Sequence, residues 1–202
     1  MRPDEEVAIV EDREPVYLPI GLPYGGIMVP SSKGPRCILR HGGRLTRVPL
    51  SIFRLWRKSL NALNRDELRE VAARNGDLGR FERDLQRLVE AQLLIPWTKE
   101  GENLNHFSHL RVIPCGIGGG NLPDHPETFA LLRRTDQNPV LWVDVVAFTL
   151  YGHFDGIATL DDACLATAKR LDYPVDEVRE RALTLLPALM RNGLVFIDLA
   201  VR

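Results

Sequence analysis

Residues 64–97 read NRDELREVAARNGDLGRFERDLQRLVEAQLLIPW, and this stretch decides the fold class. Asn64 followed three residues later by Glu67 is a helix start, an N-cap side chain with an acid placed to reach back to it. Leu68, Val71 and Ala72 then recur at helical spacing until Asn75-Gly76. A longer helix from about Arg80 to Leu93 turns Phe81, Leu85, Leu88 and Val89 inward, and Leu94 to Trp97 leaves as a strand. Working upstream, Pro49 opens a helix with Ile52, Phe53, Leu55, Trp56, Leu60 and Leu63 on one face. Ahead of it, Cys37 to Arg40 and Arg44 to Val48 make a β-hairpin turned at Gly42-Gly43. Val16 to Ile20 reads as a short strand, and glycines and prolines over 21–35 read as turns.

Downstream the pattern returns. Phe53, Leu55 and Trp56 match Phe148, Leu150 and Tyr151 at an offset of 95, and Leu85, Leu88, Val89, Leu93 and Leu94 match Leu186, Leu189, Met190, Leu194 and Val195 at 101. The extra residues fall between the second and third helices. Val143, Val146, Ala147, Leu150 and Tyr151 give a first helix, and Thr159 with Asp162 caps a second. Pro174 or Val175 opens a third that Pro187 should bend, ended by Asn192-Gly193, and Leu194 to Ile197 leaves as a strand. Arg111 to Pro114 makes a short strand. Cys115 to Pro123 is expected to be an irregular connection, because the glycines of Gly116 to Gly120 lose so much backbone entropy on ordering and Pro123 ends the run. The expected organisation is an N-terminal extension over 1–35, a first module over 36–105, a linker over 106–138 and a second module over 139–202. The expected fold class is mainly α with short β-hairpins (α+β).

Helix, capped helix, longer helix and exit strand resemble the winged-helix superfamily. The residues that carry this are Asp66-Glu67-Leu68, Leu85 to Glu90 and Leu93-Leu94-Ile95. In the second copy they are Leu185-Leu186, Ala188 to Met190 and Asn192 to Val195. The resemblance implies two winged-helix-like modules in tandem. A hairpin ahead of three such helices also resembles the peptide-recognition elements of modified-peptide biosynthesis. That likeness implies a leader peptide adding as a strand beside the hairpin, Cys37 to Val48, and lying against the third helix. The second copy shows no obvious hairpin in front of its helices.

Apolar residues make up 45% of the chain and charged residues 26%, an ordinary globular composition, and either half is long enough to build a modest core. The apolar stretch around Val140 to Leu150 contains Asp144 and is too short to span a bilayer, so no membrane contact is expected. The acidic start of the chain has no apolar signal core. Three cysteines without a CxxC argue against a disulfide framework and for a reducing, cytoplasmic setting.

Charge is uneven, with residues 36–87 summing to +7 and residues 124–202 to −4. Arg80, Arg83 and Arg87 share one face of the third helix, which in a helix-turn-helix enters the major groove of double-stranded DNA. Arg44 and Arg47 on the hairpin and Lys99 near the exit strand would add phosphate contacts. The alternative is that Glu82, Asp84 and Glu90 neutralise these arginines on a wet surface. His106, His109, Cys115, Asp124 and His125 lie close in sequence, but their spacing fits no zinc motif, so no metal is expected. Gly116 to Gly120 is not followed by a helix start, which disfavours a phosphate loop and leaves no expected cofactor. No nucleophile, base and acid assemble from spacing, so catalysis is not expected. The sequence thus points to a non-enzymatic DNA-binding regulator, its second module making protein contacts, including a homodimer. The alternatives are a peptide- or protein-binding adaptor using the hairpin edge and third-helix groove, or a structural subunit.

Overall fold

The computed structural model describes residues 14–24, 34–98, 101–135 and 138–201. Within them the chain is an α+β protein with small antiparallel sheets. The first half runs β1 (Val16–Pro19), β2 (Leu22–Pro23), β3 (Arg36–His41), β4 (Arg44–Pro49), α1 (Leu50–Ser59), α2 (Arg65–Arg74), α3 (Phe81–Glu90) and β5 (Leu94–Trp97). The second half runs β6 (Leu110–Pro114), β7 (Gly116–Leu122), β8 (His125–Arg133), β9 (Pro139–Val143), α4 (Val145–Gly152), α5 (Leu160–Leu171), α6 (Val175–Arg191) and β10 (Val195–Leu199). Both halves have one order of elements: a strand, a three-stranded sheet, three helices, and a last strand that returns antiparallel to the first.

Matched local chemistry builds the two halves. Asn64 accepts from the Glu67 amide (2.9 Å) while the Glu67 carboxylate accepts from the Asn64 amide (2.8 Å). Thr159 and Asp162 repeat this capping box, both bonds at 3.1 Å. After α3 and α6 the chain turns through a left-handed residue, Gln92 (φ 54°) and Gly193 (φ 65°). The next carbonyl then receives an equivalent bond in each half: Ile20 N–H donates to Leu93 O (3.0 Å), and Cys115 N–H to Leu194 O (2.7 Å).

Three expectations are corrected in the second half. Residues 106–138, expected as a linker, hold β6, β7 and β8, and the second copy does have a sheet, β7-β8-β9, in front of its helices. Residues 115–123, expected to be irregular, hold β7. The entropic cost of glycine is outweighed by what close packing requires. A Cβ on Gly116 would lie 2.5 Å from Leu194 Cδ2 and 2.6 Å from Leu132 O, and one on Gly118 would lie 2.9 Å from the Phe148 ring. Val143, expected in a helix, ends β9, and Asp144 caps α4 by accepting from the Ala147 amide (2.8 Å). Short apolar runs fit both periods, so pattern alone does not separate strand from helix there. The mainly α expectation therefore gives way to a more even mix, while α6 runs through Pro187. The strand expected at Val16 to Ile20 is β1, which lies inside the stretch read as an N-terminal extension. No helix among the described residues is long and apolar enough to cross a membrane.

Two hydrophobic clusters organise the interior. One, with Leu39, Trp56, Leu68, Phe81 and Leu88, lies under β3, β4 and the helices of the first half. The other gathers α4, α5 and α6 around Leu150, Leu186 and Leu189, and also takes in Val16, Leu18, Ile20 and Trp97 from the first half. Trp97 donates its indole N–H to Leu183 O of α6 (2.8 Å), so the two halves share a core.

Because Gly116 has no room for a methyl group, Gly116→Ala should cost about 2–3 kcal/mol in urea unfolding through overpacking. Gln92→Gly should instead stabilise by about 1 kcal/mol, because it relieves a left-handed side-chain-bearing residue at a helix end. Equal midpoints for Gly116→Ala and wild type would refute the packing account of β7.

Candidate functional site

In β3 and β4 the buried residues Cys37, Leu39 and Val48 fix which face turns inward. Arg44 and Thr46 share that inner row, whereas Leu45 and Arg47 stand on the outer face beside Arg36, Ile38 and Arg40. The two hairpin arginines singled out by the sequence therefore point to opposite sides of the sheet, although both are exposed.

The turn sets the hydrogen-bond parity. Gly42 (φ 54°) and Gly43 (φ 80°) close a two-residue loop, so the flanking pair His41 and Arg44 exchanges both backbone bonds. Bonded pairs then alternate along the ladder, and Leu39–Thr46 and Cys37–Val48 are bonded too. Leu45 and Arg47 are left with their N–H and C=O groups facing away from β3. The other side of the ladder agrees, because Ile38, the partner of Arg47, gives its carbonyl to Tyr24 N–H of the β2 end (3.1 Å). β4 is the last strand of its sheet, so these groups meet no strand among the described residues. The edge ends at Pro49, which has no N–H. Leu45 is 57% exposed.

Arg83 and Arg87 lie on α3, and Arg80 in the 3-10 turn before it; all three are exposed. The neutralisation weighed from sequence is mostly absent. Glu82 pairs with Arg65 (2.6 Å), Glu90 accepts from the Gln86 amide (2.8 Å), and Asp84 accepts from Ser51 Oγ (3.0 Å). Arg83 alone lies near an acid, 3.7 Å from Asp84, and Arg80 and Arg87 have no ion pair among the described residues. Lys99 lies outside the described residues. α1 packs against both the β3–β4 hairpin and α3. The nucleic-acid set is thus split into two hairpin arginines on opposite faces and a separate helix stripe.

His106, His109, Cys115, Asp124 and His125 do not converge, and no cluster able to hold a metal ion occurs among the described residues. Burial lowers the pKa of His106, with the nearby His109 adding to the effect. A cleft of about 260 Å³ lies where the halves meet, lined by Leu60, Asn61, Met190 and Phe196 among others, with no β4 residue in its wall. Pattern reading missed the outer sheet row of Arg36, Ile38, Arg40 and Leu45. Its signal was the basic–apolar alternation at Arg36, Ile38 and Arg40, readable once the hairpin register is known. Comparison of the chain with protein-family models, curated proteins and solved structures finds no match.

Burial pushes the Cys164 thiol from its ordinary 9.0 up to about 12, with Asp161 adding to the effect. The unfolded chain releases this proton at lower pH than the native one, so the stability it contributes is complete below pH 9 and is lost as pH rises toward 12. The unfolding free energy of wild type should approach that of Cys164→Ala over this range, by up to about 1.4 kcal/mol per pH unit. A gap that stays constant with pH would mean that the thiol ionises equally in both states.

Proposed function

We propose that the chain is a non-enzymatic adaptor built from two winged-helix-like units, and that it docks an extended peptide along the free edge of β4. The observation that carries this is the outward-facing backbone of Leu45 and Arg47 on a terminal strand. Strand addition draws its affinity from such backbone groups and its selectivity from the side chains beside them. On the outer face Arg36, Arg40 and Arg47 beside Leu45 favour acidic residues on that side of the added strand, and the inner row with Thr46 and Val48 favours apolar residues on its other side, so the strand that fits alternates the two. The occurrence of a three-stranded sheet before the helices in both halves supports the likeness to peptide-recognition elements. Three free cysteines fit a reducing, cytoplasmic setting.

A second reading keeps double-stranded DNA as the partner, favoured by the unpaired Arg80 and Arg87 on the α3 side. It is weakened by exposed Glu82 on the same helix and by the separation of Arg44 from Arg47 across the sheet.

Fluorescence anisotropy separates the two. A labelled peptide of alternating glutamate and valine should bind, and a lysine–valine peptide should not. Leu45→Pro, which removes one outward N–H and no charge, should weaken binding about tenfold. If neither peptide binds, Arg44 and Arg47 are charges that keep the edge from pairing. If a DNA duplex binds instead, steeply weakened by salt and lost in the Arg80/Arg83/Arg87 triple alanine variant, the DNA reading replaces this one.

A further inference from the structure

The tip of the docking hairpin is held by the other half of the chain. Asp198 of β10 is fully buried. One of its oxygens accepts from the Gly42 amide (2.8 Å), and the other accepts from Arg111 Nη2 of β6 (2.8 Å). Arg111 is fixed in turn by donating Nη1 to Gly156 O (3.1 Å). Leu199 and Val201 line the same corner, so that a Cβ on Gly42 or Gly43 would sit 3.5 Å from them. On its own side the tip has His41 Nε2 3.0 Å from Gln92 O.

This arrangement does more than bury an ion pair. Arg111 and Asp198 both belong to the β6–β10 ladder, and their pairing needs nothing from the first half. The remaining Asp198 oxygen is spent on one backbone N–H in a turn 156 positions away. Charge-assisted bonds of this kind are among the stronger ones in a low-dielectric interior. The sheet they steady is slight: β2 has two residues, and β3 and β4 six each. A hairpin with so little lateral pairing is marginal unless it is anchored.

We infer that Asp198 is a positioning residue for the β4 edge, fixing from the second half the hairpin on which a peptide strand docks. The inference rests on the adaptor reading for its ligand, but the hold on the hairpin is measurable without one. In the variant Arg111→Met/Asp198→Leu both buried charges are replaced by apolar groups, so no unpaired charge is left to unfold the chain. Native-state hydrogen exchange and peptide anisotropy are then read side by side.

The expected result is that Gly42, Arg44 and Thr46 exchange at least about tenfold faster, while Leu68, Leu88 and Leu186 in the two cores keep their protection. Affinity for the glutamate–valine peptide should fall by a similar factor, although no β4 residue has changed. Unchanged hairpin exchange would overturn the inference, and so would equal loss of protection in hairpin and cores, which would make Asp198 a general stability residue. Faster hairpin exchange with unchanged peptide affinity would overturn it as well. Faster hairpin exchange in a protein whose wild type binds no peptide would leave the hold on the hairpin established and remove the adaptor reading instead.

Discussion

The main chain at Ile20 and Gly21 holds the two halves in register. Ile20 N–H donates to Leu93 O, closing the first half on itself (3.0 Å), and Ile20 O accepts the indole N–H of Trp56 (3.2 Å). One residue on, Gly21 N–H donates to Ile197 O of β10 (2.8 Å), which ties the first half to the second. The side chains of the same segment, Val16, Leu18 and Ile20, enter the core built by α4, α5 and α6. A strand whose hydrogen bonds belong to one half and whose apolar side chains belong to the other prevents the halves from separating without exposing both. Cooperative unfolding of the described chain as one unit follows from that arrangement.

That fusion shapes what each surface can do. A hairpin reaching across a DNA backbone needs a free tip, and here the tip is packed against β10, with the Gly42 amide on a buried carboxylate. What remains accessible is the flank of β4, where backbone donors and acceptors stand between an exposed leucine and several arginines. Basic edges resist pairing with their own kind, because like charges placed directly opposite one another are destabilising. The same charges favour a strand of opposite sign. A strand docking at this edge as proposed would meet two effects, repulsion of similar strands and attraction of acidic ones, acting on one set of backbone groups.

Helices were legible in the sequence wherever an end was marked chemically. Asn64–Glu67 and Thr159–Asp162 announce their caps, and the apolar spacing that follows has one period only. The hairpin was legible because Gly42-Gly43 admits few other turns. The second sheet was hidden, since its glycines are explained by neighbours distant in sequence: Gly116 by Leu194 and Leu132, Gly118 by Phe148. The site was half legible. Arg44 and Arg47 were visible as residues, but their opposite facings depend on the ladder parity. Asp198, one residue past the exit strand read from the sequence, carried no local signal, because its partners lie 87 and 156 positions away.

The most direct test of the account is residue-resolved NMR of the whole chain titrated with the glutamate–valine peptide. The account predicts the largest amide shifts at Leu45 and Arg47, with both amides gaining protection from exchange as they acquire partners on the open edge. Shifts confined to Arg80, Arg83 and Arg87, with Leu45 and Arg47 exchanging as fast as before, would contradict it.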